Sequence, residues 1–146
     1  MKVEIQIDER CTSPTIIIRA AAMTAEIADL VRKLSQDPRQ TLPARKGEEI
    51  YLISPQEAVR IYTESERLWL RSKDETYILR GRLYEWEAQL EGAGFVRISH
   101  SELVNCRWIQ SLDVSISGAI SLRLKNADVA FVSRRYVERI KRHLGL

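Results

Sequence analysis

The hydrophobic rhythm of the chain changes several times along its length. Val3, Ile5 and Ile7 alternate with polar residues, and after Pro14 a compact β-branched run follows, Thr15-Ile16-Ile17-Ile18. Both patterns predict strands. Ile27, Leu30, Val31 and Leu34 then recur at i, i+3, i+4 and i+7, which predicts a helix with one apolar stripe facing a partner surface and Thr24 as its cap. Pro38 cannot continue that helix and its neighbours are polar, so residues 37–40 form the candidate linker.

From Thr41 the period shortens to that of strands. Residues 41–45 and 49–54 flank Lys46-Gly47 as a hairpin, and residues 58–62, 68–71 and 76–79 follow as strands separated by the polar tips 63–67 and 72–75. Leu83, Trp86, Glu87 and Leu90 have helical spacing, and Gly92-Ala93-Gly94 stops that helix. Residues 95–105 read as irregular or singly turned, and 108–114, 120–124 and 128–132 return to strand. A last helix is expected with Ser133 as N-cap, with Val137, Ile140 and Leu144 facing inward and Arg135, Arg139 and Arg142 sharing another face. Trp69, Trp86, Trp108, Phe95 and Phe131 are expected in the core. The fold class is therefore mainly β with short helices (α+β), closed by a C-terminal helix. Residues 1–40 form a small β-β-α segment for packing or dimerisation, and residues 41–146 form the main domain.

Net charge, +3 over 146 residues, becomes informative only when located. Residues 95–146 hold nine basic groups against four acidic ones, net +5, whereas residues 41–94 are net −2. No apolar run approaches the roughly 20 residues of a membrane-spanning helix, and the alternating start at Met1-Lys2-Val3-Glu4-Ile5 is unlike a signal peptide, so a cytoplasmic protein is expected. Cys11 and Cys106 match neither a disulfide framework nor a metal pair and are expected to be buried free thiols. An enzyme is not expected. The chain has two histidines, no H-E-x-x-H, no P-loop and no G-x-S-x-G, and a Cys106–His100 pair would lack an orienting third group. Catalytic residues, metal, cofactor and small-molecule substrate are accordingly all expected to be absent.

Two motifs carry a family resemblance. The stretch Phe95-Val96-Arg97-Ile98-Ser99-His100-Ser101-Glu102-Leu103-Val104-Asn105 resembles F-x-R-x-H-R-S-x-x-V-N, and Val132-Ser133-Arg134-Arg135-Tyr136 resembles V-S-R-R-Y. In this order they resemble the LytTR DNA-binding family over about the last hundred residues. The resemblance implies elongated antiparallel β-sheets that lay loops into successive major grooves and bend the DNA. It implies a bacterial transcription regulator of the stand-alone kind, since the first forty residues do not resemble a phosphate-receiver domain. Double-stranded DNA is the implied partner and a homodimer the expected assembly. A membrane-bound inhibitory protein accompanies some stand-alone members of the resembled family.

By position, the implied base-reading groups are the strand tip at Ser65, Glu66 and Arg67, the loop Ser99-His100-Ser101, and Arg135. Ser99 stands where the family commonly has His, and His100 where it has Arg or Asn. Independently of the resemblance, Arg135 can offer two N–H donors to guanine O6 and N7, and His100 one donor to a base or phosphate. Ser99, Ser101 and Ser133 suit phosphate oxygens, Arg134, Arg139, Lys141 and Arg142 suit backbone neutralisation, and Arg97 is a further candidate DNA-binding residue. Asn105 is expected to support a turn. A basic helix face also arises from simple solvation, and a protein-interaction or RNA-binding module on the same β scaffold is the alternative, although no R-G-F-x-F pattern is present.

Overall fold

Alternation settles which side of each strand turns inward. In a computed structural model, which describes residues 1–35 and 41–146, β1 (Leu42–Lys46) buries Leu42 and Ala44 and exposes Pro43 and Arg45. It pairs antiparallel with β2 (Glu49–Ile53) through a two-residue turn whose first residue, Gly47, has φ +64°. That left-handed first position is what a type II′ hairpin requires, and glycine adopts it without strain. β3 (Arg60–Glu64), β4 (Arg67–Arg71) and β5 (Thr76–Leu79) follow, and β5 returns beside β1. With β6 (Phe95–Ser99) and β7 (Glu102–Asn105) they make one antiparallel sheet in the order β2-β1-β5-β4-β3-β7-β6. A second sheet, in the order β10-β9-β8, contains β8 (Ile109–Val114), β9 (Ile120–Leu124) and β10 (Val129–Val132).

There are two cores, and the β6–β7 hairpin contributes to both. Leu42, Ile61, Leu70 and Leu103 pack with Phe95 and with Leu83 at the start of α2 (Leu83–Gln89). Val96, Ile98 and Val104 pack instead with Ile120, Leu122, Leu124, Ala130 and Val132 of the second sheet and with Ile140 of α3 (Val137–Leu144). Residues 95–105 therefore form a two-stranded hairpin where an irregular or singly turned stretch was expected. The reason is burial on both faces, which sets adjacent apolar residues, Phe95-Val96 and Leu103-Val104, into different cores and breaks the polar alternation that marks a strand with one wet face.

Other expectations also change. The chain enters its last helix through a 3-10 turn, Arg134–Tyr136, so Arg135 precedes the α-helical face that carries Arg139 and Arg142. The Ser133 hydroxyl, expected to cap, donates to the Ile98 carbonyl at 3.5 Å instead. Phe131 is 73% exposed because β10 is an edge strand that turns Ala130 and Val132 inward. Cys11 is exposed in the N-terminal segment. Cys106 is half-buried, and burial pushes its thiol up to about 11.

The N-terminal segment departs furthest. Its helix forms as α1 (Ala25–Ser35), with Thr24 Oγ1 accepting the Ile27 N–H at 3.2 Å. The two strands do not form: Val3, Ile5, Ile7, Ile16 and Ile17 are exposed and belong to no ladder among the described residues. Extended backbone becomes a strand only when a neighbour accepts its hydrogen bonds. Among the described residues, none from α1 belongs to either core. The linker expected at 37–40 lies outside the described residues.

Candidate nucleic-acid interface

Three tips named from the sequence lie along connected elements. The first is the turn between β3 and β4, where Glu64 pairs with Arg67 and both intervening residues are left-handed, Ser65 at φ +52° and Glu66 at +62°. This is a type I′ geometry, which usually takes Asn-Gly. A non-glycine residue there costs roughly 1–2 kcal/mol, so the tip stores strain where it projects into solvent, an arrangement concentrated at functional sites.

The second tip is the β6–β7 turn. The Ser99 hydroxyl accepts the Ser101 N–H at 3.2 Å and lies 3.3 Å from the Ser101 hydroxyl, which closes the turn and leaves His100 exposed. Arg97 braces it from below, donating to the carbonyls of Ser99 at 2.7 Å and His100 at 2.5 Å. Its guanidinium also lies 3.5 Å from a Glu87 carboxylate oxygen, and its side chain is only 11% exposed. Arg97 is thus a strut of the turn, unlike the exposed Arg67, Arg134 and Arg135.

The third tip is the turn at Ser133, Arg134 and Arg135. Arg139 follows on α3, with its guanidinium 5.2 Å from the Tyr136 ring centroid and 3.9 Å from Glu87. Two backbone hydrogen bonds tie the three tips together: Thr63 N–H to the Ser101 carbonyl and Ser133 N–H to the Ile98 carbonyl, both 2.9 Å. The central turn is thereby fastened to each neighbour. Asn105 fixes the root of the same hairpin. Fully buried, it donates to the carbonyls of Pro55 and Ala58 and accepts the Arg107 N–H.

A cleft of about 800 Å³ opens beside the first two tips, lined by Arg67, Arg97 and His100 and by two residues not singled out from the sequence, Arg82 and Tyr84 at the start of α2. Glu66 and Glu85 share this lining, and Glu85 accepts the Arg82 N–H, so the cleft is mixed in charge. The basic Arg80-Gly81-Arg82 turn was the available signal for it.

Behind the face, sequence-distant charges join the two sheets. Arg60 lies 3.3 Å from Glu102 and 3.3 Å from Asp128, and Arg71 lies 3.1 Å from Asp128. Burial raises the Glu102 carboxyl against the pull of Arg60. At Asp128 burial also acts to raise the carboxyl, but Arg71 and Arg60 outweigh it and hold the group below its ordinary value. Among the described residues no cluster of His, Cys, Asp and Glu could hold a metal ion, and no helix is long and apolar enough to cross a membrane.

The fold is an antiparallel β scaffold whose three polar turns are joined by backbone hydrogen bonds along connected strands. The sequence profile of the LytTr DNA-binding domain matches residues 48–145. An uncharacterized HTH-type transcriptional regulator of Staphylococcus aureus (strain MSSA476) is 30% identical over 147 residues, covering 100% of this chain and 99% of that protein. A regulator of the same description from strain MRSA252 is 29% identical with the same coverage. Among solved structures, the LytTr DNA-binding domain of a putative methyl-accepting/DNA response regulator from Bacillus cereus superposes with a TM-score of 0.69 at 17% identity, over 73% of this chain and 99% of that one, and so shares the fold. The chain belongs to the LytTR DNA-binding domain family.

Proposed function

We propose that the chain is a transcription regulator that reads duplex DNA by sequence, placing its three tips in successive major grooves and bending the duplex. The observation that carries this reading is the pair of backbone hydrogen bonds, Thr63 to Ser101 and Ser133 to Ile98, that makes three separate turns one connected edge. Arg135 makes the bidentate guanine contact, worth about 1–3 kcal/mol of discrimination. His100 reads a second base edge, and Glu66 accepts from a base amino group beside Arg67. Ser99, Ser101, Arg134 and Arg139 hold phosphates and set register. Arg97 serves by bracing the His100 turn. Two copies bind repeated half-sites, with the N-terminal segment joining them. The names of the Staphylococcus aureus relatives support regulation of transcription as the outcome.

Selection of bound duplexes from a random pool, followed by salt titration, tests this reading. Arg135→Ala is expected to relax preference at one base pair. Lys141→Ala is expected to weaken all duplexes alike and to lower the salt slope by about 0.9 log units per log salt, the contribution of one phosphate contact. Equal behaviour of the two variants, or RNA of the same sequence competing as well as DNA, would overturn the assignment.

A further inference from the structure

β2 ends the seven-stranded sheet, and among the described residues it pairs with β1 alone. Its outer edge is a row of unpaired backbone donors and acceptors, which native proteins usually cover, bend or charge. Instead its centre is apolar on both sides. Ile50 and Leu52, paired with Arg45 and Pro43, lie on the outward face and are 62% and 68% exposed. Tyr51, paired with the buried Ala44, lies on the core-ward face, its ring 5.4 Å from that of Tyr77, and is 40% exposed.

A strand that completes this edge needs apolar residues on both of its own faces. The alternating Val3, Ile5 and Ile7 offer one face, whereas the continuous Ile16-Ile17-Ile18 offers both. That run has no ladder partner in its own chain among the described residues, and Ile16 and Ile17 are exposed. Charge then selects the direction. Laid antiparallel with Ile17 opposite Tyr51, the run sets Ile16 against Leu52, Ile18 against Ile50, Thr15 against Ile53 and Arg19 against Glu49. Opposite charges directly across an antiparallel pair are favourable, and the parallel alternative sets Arg19 against Ile53 with no counter-charge. The aligned Staphylococcus aureus relatives span this chain in full, including the N-terminal segment.

We propose that Thr15 to Arg19 of one copy adds an antiparallel strand to the free edge of β2 in a second copy, with Ile17 opposite Tyr51 and Arg19 opposite Glu49. Exchange in both directions gives a closed two-fold dimer with an eight-stranded sheet on each side. This rests on the dimeric reading above and names its interface.

The test uses full-length chains carrying Cys11→Ser. The remaining thiol, Cys106, is half-buried and, with its pKa pushed up to about 11, stays protonated at neutral pH. One chain adds Ile17→Cys and the other Tyr51→Cys, and both are mixed with oxidised glutathione. Directly opposed residues of an antiparallel pair have Cα atoms about 4.5–5.5 Å apart, within the roughly 4.4–6.8 Å that a disulfide spans. The expected product is a covalent dimer formed in the mixture and by neither chain alone, with unmodified chain dimeric by sedimentation equilibrium. A dimer without the cross-link overturns this interface while leaving the dimeric reading intact, and a monomer overturns both. A chain bearing both cysteines that closes on itself as a monomer shows the run seated on its own β2 and overturns the exchange. As a second readout, Arg19→Glu or Glu49→Arg alone is expected to weaken self-association several-fold. The two together are expected to restore it, and failure to restore overturns the register.

Discussion

Two apolar runs in this chain meet opposite fates. Ile120, Leu122 and Leu124 of β9 are buried between β10, β8 and the β6–β7 hairpin, whereas Ile16 and Ile17 stand exposed. Hydrophobicity does not separate them. The difference is that β9 has neighbours on both edges and a core beneath it, while among the described residues of its own chain the N-terminal run has neither. Strand propensity expresses fit to a pleated, partly buried surface, and it yields a strand only where such a surface exists.

Substitutions of one chemical kind sharpen that contrast most strongly. Ile140→Ala removes a fully buried side chain from the second core and is expected to cost about 2–5 kcal/mol. Ile17→Ala, measured where the chain is monomeric, is expected to stay within about 0.5 kcal/mol. Urea unfolding of both variants is the check, and comparable losses would mean that the N-terminal run is packed after all.

A second contrast lies between charges that are tied and charges that are free. Asp128 serves two arginines from different strands, so Asp128→Asn leaves part-buried cations short of a partner and is expected to cost about 3 kcal/mol at neutral pH. The exposed Asp29–Arg32 pair of α1 is expected to contribute less than about 1 kcal/mol. The pH dependence has a defined sign. The folded-state pKa of Asp128 lies below 3.8, so its stabilisation is full above that value and is lost as pH falls through the lower folded value. Glu102 works in the opposite sense: burial raises it above 4.5, so stability declines as pH rises from there through the folded value. Denaturant midpoints against pH should therefore lose their acid-side fall in Asp128→Asn and their decline above 4.5 in Glu102→Gln.

The parts of the fold legible in the sequence were those with one wet face. β1, β3 and β9 show their alternation as Leu42 and Ala44, as Ile61, and as Ile120, Leu122 and Leu124. The hairpin from Phe95 to Asn105 was misread because its two faces serve two cores, which leaves no polar period to count. Arg97 looks like any other cation of the basic C-terminal third, and only the fold reveals that it bonds the Ser99 and His100 carbonyls beneath the turn. The Arg60–Glu102–Asp128–Arg71 cluster was invisible for a related reason, since Asp128 lies 68 and 57 residues from its two arginines. The tips at Ser65-Glu66-Arg67, Ser99-His100-Ser101 and Arg134-Arg135 were found through motif resemblance. Their connection through Thr63 and Ser133 was not in the sequence pattern.

The smallest expected effect separates conformation from charge at the first tip. Gly47 turns the β1–β2 hairpin without strain, whereas Ser65 and Glu66 turn β3–β4 with side chains in the left-handed region. Glu66→Gly should relieve a penalty of roughly 1–2 kcal/mol, less the roughly 0.4–1 kcal/mol that glycine's freer unfolded chain takes back. A net gain of about 0.5–1 kcal/mol is therefore expected in urea unfolding. Glu66→Gln keeps the strain and removes only the negative charge, so its stability should match that of the parent chain. On DNA both variants lose a negative charge that repels phosphates, so both should bind arbitrary duplexes somewhat more tightly at low salt. On the proposed reading the Glu66 carboxylate accepts from a base amino group; a glutamine amide oxygen still accepts there, so Glu66→Gly alone is expected to lose preference at one base pair. If Glu66→Gly gained stability and left DNA preference untouched, the strain at this turn would belong to the fold alone, and base reading would rest on His100 and Arg135.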